Sequence, residues 1–187
     1  MIESLIHIDK QLFLFFNSLH NSFFDVVMWG LSSKTLWIPL YVFLLYLVIK
    51  HYKKQSWLII LLIITAVVLS DSLSVILFKN IFHRLRPSHN PAFEGLIHLV
   101  NNYKGGDYGF VSSHAANTFA LATSLSYFLK SKFRYFPYFI FCWAALVSYS
   151  RIYLGVHYPA DVVCGALFGS LLAFVLIKCY AYVINKL

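Results

Sequence analysis

Five long apolar runs dominate this chain, from about Leu36 to Tyr52, Trp57 to Phe82, Ala115 to Leu129, Phe136 to Tyr153 and Ala160 to Ile184. A helix that crosses the hydrocarbon core of a bilayer takes roughly 17 to 25 such residues. The runs therefore predict an all-α protein, a polytopic membrane helix bundle of about five transmembrane helices. With 60% of its 187 residues hydrophobic and 12% charged, the chain is too apolar for an ordinary soluble domain.

The stretch 1–33 behaves differently. Phe13, Leu14, Phe15 and Phe16 are strongly apolar, but Asn17, Ser18, His20, Asn21 and Asp25 interrupt any long run. The expectation is two interfacial amphipathic helices, with a sixth span as the alternative. Residues 34–187 are expected to form one membrane core. The opening Met1-Ile2-Glu3-Ser4 lacks the basic, apolar and small-residue order of a secretory signal, so insertion is assigned to the internal spans.

Charge sets the orientation. Lys50, Lys53 and Lys54 occupy one connection, Lys130, Lys132 and Arg134 another two crossings later, and Lys178 and Lys186 fall on the same side. Cations flank the cytoplasmic ends of spans, so all three clusters are placed there. The formal charge of +8 then belongs to anionic headgroups, and nucleic acid is not expected as a partner. Cys142, Cys164 and Cys179 lie in apolar stretches without paired spacing, and they read as small packing residues.

Three polar clusters fall on the opposite side. The first is Lys79-Asn80-Ile81-Phe82-His83-Arg84-Leu85-Arg86-Pro87, in which Pro87 takes Arg86 out of helical geometry and marks the end of the span. Lys79 then lies about two turns below that end, where a cation without an anionic partner is costly. His83 and Arg84 read as interface residues. The second cluster is Ser112-Ser113-His114, where a glycine-containing loop becomes a helix. The serines take cap positions, and free amides there suit an anion. The third runs from Ser150-Arg151 to His157 and Asp161. Pro159 suits the first position of a helix, which brings Asp161 close to His157. A carboxylate on one ring nitrogen frees the other to attack.

Three cations, two histidines, a carboxylate and hydroxyls make a phosphate site with a nucleophile. Asp71, mid-span, is expected in a supporting role, orienting Lys79 or bonding a neighbouring helix. The polar loop from Ser88 to Val111 is expected to cover the site. On ligand count a zinc site of His114, His157 and Asp161 is disfavoured, and no metal or cofactor is expected.

From Asp71 to Gly165 these residues resemble the type 2 phosphatidic acid phosphatase superfamily, which includes lipid phosphate phosphatases and vanadium haloperoxidases. One family motif, Lys, six residues, then Arg-Pro, is met by Lys79, Arg86 and Pro87. Another, Ser-Arg, five residues, His, three residues, Asp, is met by Ser150, Arg151, His157 and Asp161. The motif between them, usually Pro-Ser-Gly-His, keeps Ser112 and His114 but has Val111 and Ser113 instead of Pro and Gly. The resemblance implies that His157 attacks phosphorus, Asp161 orients it and His114 protonates the leaving group. Lys79, Arg86 and Arg151, with Ser112, Ser113 and adjacent amides, hold the phosphate oxygens. The expected protein is a metal-independent lipid phosphatase of a bacterial inner membrane, its site facing the periplasm. Its expected substrate is a phosphorylated membrane lipid: undecaprenyl diphosphate, a phosphatidylglycerol phosphate or a lipid A phosphate. The competing readings are a non-hydrolytic binder or translocator of such lipids, and a lipid phosphotransferase.

Overall fold

The first two apolar runs are joined into a hairpin by a single backbone reversal. In the computed structural model, α3 (Ile38–Tyr52) ends where Lys53 takes a left-handed φ of 46°. A 3-10 turn, Lys53–Gln55, then starts α4 (Ser56–Ser74). The described residues are 2–184 and Lys186. Met1, Asn185 and Leu187, at the outer limits of the two expected segments, lie outside them.

α4 continues through a wider π-type turn, Val75–Lys79, into the short α5 (Asn80–Phe82). The helix stops there because His83 is left-handed, with φ of 44°. The apolar run also ends at Phe82, but the helix stop expected at Pro87 falls four residues earlier, at His83. The difference arises because the chain from Arg84 to Arg86 pairs with the long loop. Arg86 N–H donates to the Asp107 carbonyl at 3.0 Å, and Gly109 N–H donates to the Arg84 carbonyl at 2.8 Å. Leu85 and Tyr108 form an isolated bridge there. These long-range bonds satisfy backbone groups that a helix would otherwise have used.

α6 (Ser113–Leu129) lies at the centre, packed by α4, α7 (Phe136–Tyr153) and α8 (Pro159–Ile184). The α6–α8 contact is a seam of small residues. A Cβ on Gly165 would meet the Ser112 carbonyl at 2.5 Å, and one on Gly169 would overlap the Ala116 carbonyl. Ala120 and Ala173 extend this buried seam, and Ala66 of α4 packs against them. Such small-residue contacts let helix backbones approach closely in a bilayer. Around the other half of α6, Leu44, Val48, Ile59, Leu125, Ile140 and Trp143 form the main core.

Large apolar side chains face outward instead of being confined to that core. Val163, Leu167, Leu171 and Phe174 on α8 are all more than half exposed, as are Ile64 and Val68 on α4. A surface of this kind fits lipid, not water. Among the described residues, Thr35–Phe82, which holds both arms of the hairpin, and Pro159–Ile184 are long and apolar enough to cross a membrane by length and composition. The connections that carry Lys53, Lys54 and Lys132 meet at one end of the bundle. There Tyr52 Oη donates to the Phe128 carbonyl at 2.5 Å, and the His51 and Phe133 rings lie 5.3 Å apart.

The N-terminal stretch forms two helices, α1 (Ile2–Ser18) and α2 (Ser22–Ser32). α1 packs on α7 and α8 through Asp9, Phe13 and Asn17, three buried residues four apart and so on one face. Asn17 donates to the carbonyls of Tyr153 (2.9 Å) and His98 (3.0 Å), and its own oxygen accepts from His98 N–H (2.8 Å).

Candidate active site

The turn between α7 and α8 builds the centre of the site. Gly155 adopts φ of 79°, and a Cβ there would stand 2.6 Å from Leu99 Cδ2 and 2.9 Å from the His98 carbonyl. The tight turn delivers His157 just before α8 begins at Pro159. Asp161, one helical turn on, offers Oδ2 to Tyr158 N–H at 3.0 Å and to His157 Nδ1 at 3.4 Å. Both side chains are buried. On the other edge of the ring, His157 Nε2 lies 3.0 Å from Arg86 Nη1. A guanidinium can only donate, so Nε2 must be the bare nitrogen and the ring proton must sit on Nδ1, toward Asp161. Burial, followed by the charges of Arg86, Arg151 and Lys79, pushes the His157 pKa well below the ordinary histidine value. The ring is therefore neutral and its free lone pair is on Nε2.

Three cations converge beside it. Arg86 is tied by Nε to the Tyr108 carbonyl at 3.2 Å, and burial together with nearby Arg151 pushes its pKa down. Arg151 bonds Ser32 Oγ and reaches Tyr103 Oη at 3.5 Å, while its buried Nε has no hydrogen-bond partner among the described residues. Lys79 Nζ donates to Ser113 Oγ at 2.7 Å, and Ser113 in turn lies 2.7 Å from Ser74 Oγ. Among the described residues, none of the three cations has a carboxylate within ion-pair distance. Partly desolvated like charges without a counter-charge are costly, and an anion between them relieves that cost.

Lys79, Arg86, Arg151, Ser113, His114 and His157 all line one cavity of about 700 Å³. Its far wall is apolar, with Leu44, Val48, Ile63, Leu121, Leu125 and Trp143 from α3, α4, α6 and α7. Asp71 also lines it, accepting from Asn117 Nδ2 at 2.8 Å and so bonding α4 to α6. Ser112 is placed differently. It is fully buried off the cavity wall, caps α6 by accepting from Ala115 N–H at 3.4 Å, and donates its own N–H to the Asp161 carbonyl at 2.9 Å. The loop 88–111 folds over Arg86, and its Tyr103 lines the cavity. Among the described residues, no three of His, Cys, Asp and Glu group as metal ligands.

Sequence reasoning missed Arg84. Instead of reaching for an interface, it bonds Asp161 Oδ1 at 2.7 Å and Asp9 Oδ2 at 2.6 Å, and its guanidinium lies 4.0 Å from the centre of the Tyr158 ring. Burial opposes its charge, but the two carboxylates outweigh that and raise its pKa. A signal was available. In an extended segment residues i and i+2 share a face, so an inward Arg86 implies an inward Arg84.

The helical bundle with its lipid-fitting surface and the three cations gathered beside a buried histidine are the features expected of a membrane-bound phosphoryl-transfer protein. Comparison with known families agrees, since the PAP2 superfamily profile matches residues 56–185. The chain is 40% identical to a lipid A 4'-phosphatase of Bacteroides thetaiotaomicron, over 91% of this chain and 76% of that one. It is 34% identical to a lipid A 4'-phosphatase of Porphyromonas gingivalis, over 97% and 76%. Its fold is similar to that of a transmembrane PAP2-type phosphatidylglycerolphosphate phosphatase from Bacillus subtilis, with a TM-score of 0.70 at 23% identity, covering 96% of this chain and 87% of that one. The chain belongs to the PAP2 superfamily and is a phosphatase.

Proposed function

We propose that the chain removes phosphate from a membrane lipid through a phosphohistidine at His157, without a metal ion, with the 4'-phosphate of lipid A as the favoured substrate. The observation that carries the mechanism is the obligate donor Arg86 at His157 Nε2, which leaves that nitrogen's lone pair directed at the cation-lined cavity. The dianionic phosphate enters between Lys79, Arg86 and Arg151, and Arg86 transfers its hydrogen bond from the ring to a phosphate oxygen. Nε2 then forms the P–N bond as the P–O bond to the lipid breaks. His114 takes up a proton when the dianion's charge offsets its burial among cations and supplies that proton to the leaving oxygen, and Asp161 stabilises the charge that develops on the imidazole ring. In the second half, water attacks phosphorus, His114 accepts its proton, and the P–N bond breaks to release inorganic phosphate. Fixed cations aimed at the transferring group act as electrostatic stabilisers throughout.

The lipid reading rests on the cavity's apolar wall, which gives acyl chains a path from the cradle toward α3 and α4. The 4'-phosphate is favoured because two relatives that cover most of this chain carry that activity. Ser113 secures Lys79 here, and Ser112 acts through the α6 cap. Five spans, with the basic connections in the cytoplasm and the site at the periplasmic face of a bacterial inner membrane, complete the proposal. Residues 1–33 would lie at that interface. The test is phosphate release by purified protein in detergent, with chelator, from lipid A, undecaprenyl diphosphate and phosphatidylglycerol phosphate, beside His157→Ala. Release that survives chelator, is fastest from lipid A and falls at least about 10³-fold in the variant is the expected result. Loss of activity on chelation, or full activity in His157→Ala, would sink it.

A further inference from the structure

The carboxylate behind His157 is itself held from behind, by a helix that none of the family motifs reaches. Asp161 Oδ1 is bonded by Arg84 Nη1 at 2.7 Å, and Arg84 Nη2 is bonded by Asp9 Oδ2 of α1 at 2.6 Å. Asp9's other oxygen accepts from Ala160 N–H at 2.8 Å, an amide in the first turn of α8. Tyr158, which follows His157, packs on the Arg84 guanidinium at 4.0 Å. The chain of contacts runs without a gap from α1 to the ring: Asp9, Arg84, Asp161, His157.

We propose that Asp9 and Arg84 are positioning residues for the phosphatase reaction, which place α1 within the catalytic machinery by setting the orientation and effective charge of Asp161. The inference rests on the reading of His157 as nucleophile.

Two physical effects support it. The first is orientation: with Oδ1 fixed by Arg84, Oδ2 is the oxygen that must face His157 Nδ1 and Tyr158 N–H. A buried carboxylate without that anchor is free to rotate away from the ring. The second is charge. Arg84 alone would neutralise Asp161 and weaken its hold on an imidazole that becomes positive as the P–N bond forms. Asp9 offsets the arginine's charge from the far side, so the triad Asp161, Arg84, Asp9 keeps a net negative charge behind the ring. Asp9 and Arg84 side chains are only 10% and 25% exposed, so these pairs are weakly screened by solvent. α1 is seated to hold this position, since Phe13 and Asn17, one and two turns on from Asp9, are also buried and Asn17 makes three hydrogen bonds to the backbone.

The test uses the full-length protein in detergent, with kcat and KM measured on one lipid phosphate that the wild type hydrolyses. The variants are Asp9→Asn, Arg84→Gln, Arg84→Lys and the double variant Asp9→Asn/Arg84→Gln, with His157→Ala alongside. Asp9→Asn keeps an acceptor for Ala160 N–H and so preserves the helix seat. The expected results are a fall in kcat of about tenfold for Asp9→Asn and about a hundredfold for Arg84→Gln, both with little change in KM, since neither residue touches the phosphate. Arg84→Lys should recover part of the loss. The double variant should be no slower than Arg84→Gln, because Asp9 acts through Arg84. Wild-type kcat in Asp9→Asn, additive losses in the double variant, or losses that only track a drop in folded protein by gel filtration and thermal unfolding would each overturn the inference. Full activity in His157→Ala would instead overturn the nucleophile assignment, so the two failures are distinguishable.

Discussion

At the scale of single residues, the candidate site centres on a histidine buried among cations. Burial and the charges of Arg86, Arg151 and Lys79 hold the folded pKa of His157 well below 6.5, while in the unfolded chain the ring titrates near that value. Below about pH 6.5 the unfolded state therefore binds a proton that the folded state refuses. The stability this group contributes is fully present above that pH and is lost as pH falls, at up to about 1.4 kcal/mol per pH unit for one proton. His157→Gln removes the titrating ring. Its thermal unfolding temperature in detergent should decline less steeply than the wild type's between about pH 6.5 and 5. Parallel declines would mean that the ring takes up its proton inside the folded protein. The residues with long fixed spacing, Lys79, Arg86, Arg151, His157 and Asp161, were legible as a group because a chemical set repeated at chain turns needs no knowledge of packing. Arg84 was legible only through the face it shares with Arg86, and Asp9 was not legible, because its partner Arg84 lies 75 residues away in sequence.

At the scale of elements, the α6–α8 seam fixes the separation between the two halves of the site. α6 carries Ser113 and His114, and α8 begins just after His157 and carries Asp161. Gly165 and Gly169 let the two helices approach until the backbone of one touches the other. Gly169→Leu drives a side chain into the Ala116 backbone, which cannot yield as a side-chain tip could. The expected cost is about 3 kcal/mol or more, read as a large drop in thermal stability and loss of activity. Leu167→Ala, two residues away on the exposed face, should leave both nearly unchanged. Equal tolerance of the two changes would show that the seam is not closely packed. The helices themselves were largely readable from hydropathy, because a run of apolar residues suffices to specify a membrane helix. The second run's end at Phe82 matches the helix, but the stop falls at left-handed His83 and not at Pro87, because His83 and the loop pairing at Asp107 and Gly109 leave no local mark, whereas Pro87 does.

At the scale of the whole molecule, polar chemistry is gathered at one end of an apolar bundle and basic connections at the other. In a variant with Cys142, Cys164 and Cys179 replaced by alanine, a cysteine introduced at Glu94 should react in intact cells with a membrane-impermeant thiol reagent. One at Lys53 or Lys132 should react only after permeabilisation. The reverse pattern would turn the protein over and place the site in the cytoplasm. Passage of phosphate through His157 is read by rapid acid-free quenching during turnover of a lipid labelled at its phosphate, followed by mapping of the bound label. An acid-labile, alkali-stable phosphoryl group is expected on the peptide that contains His157, attached at Nε2 and absent from His157→Ala. Turnover that proceeds with no label on His157, or with label on another side chain, would contradict it.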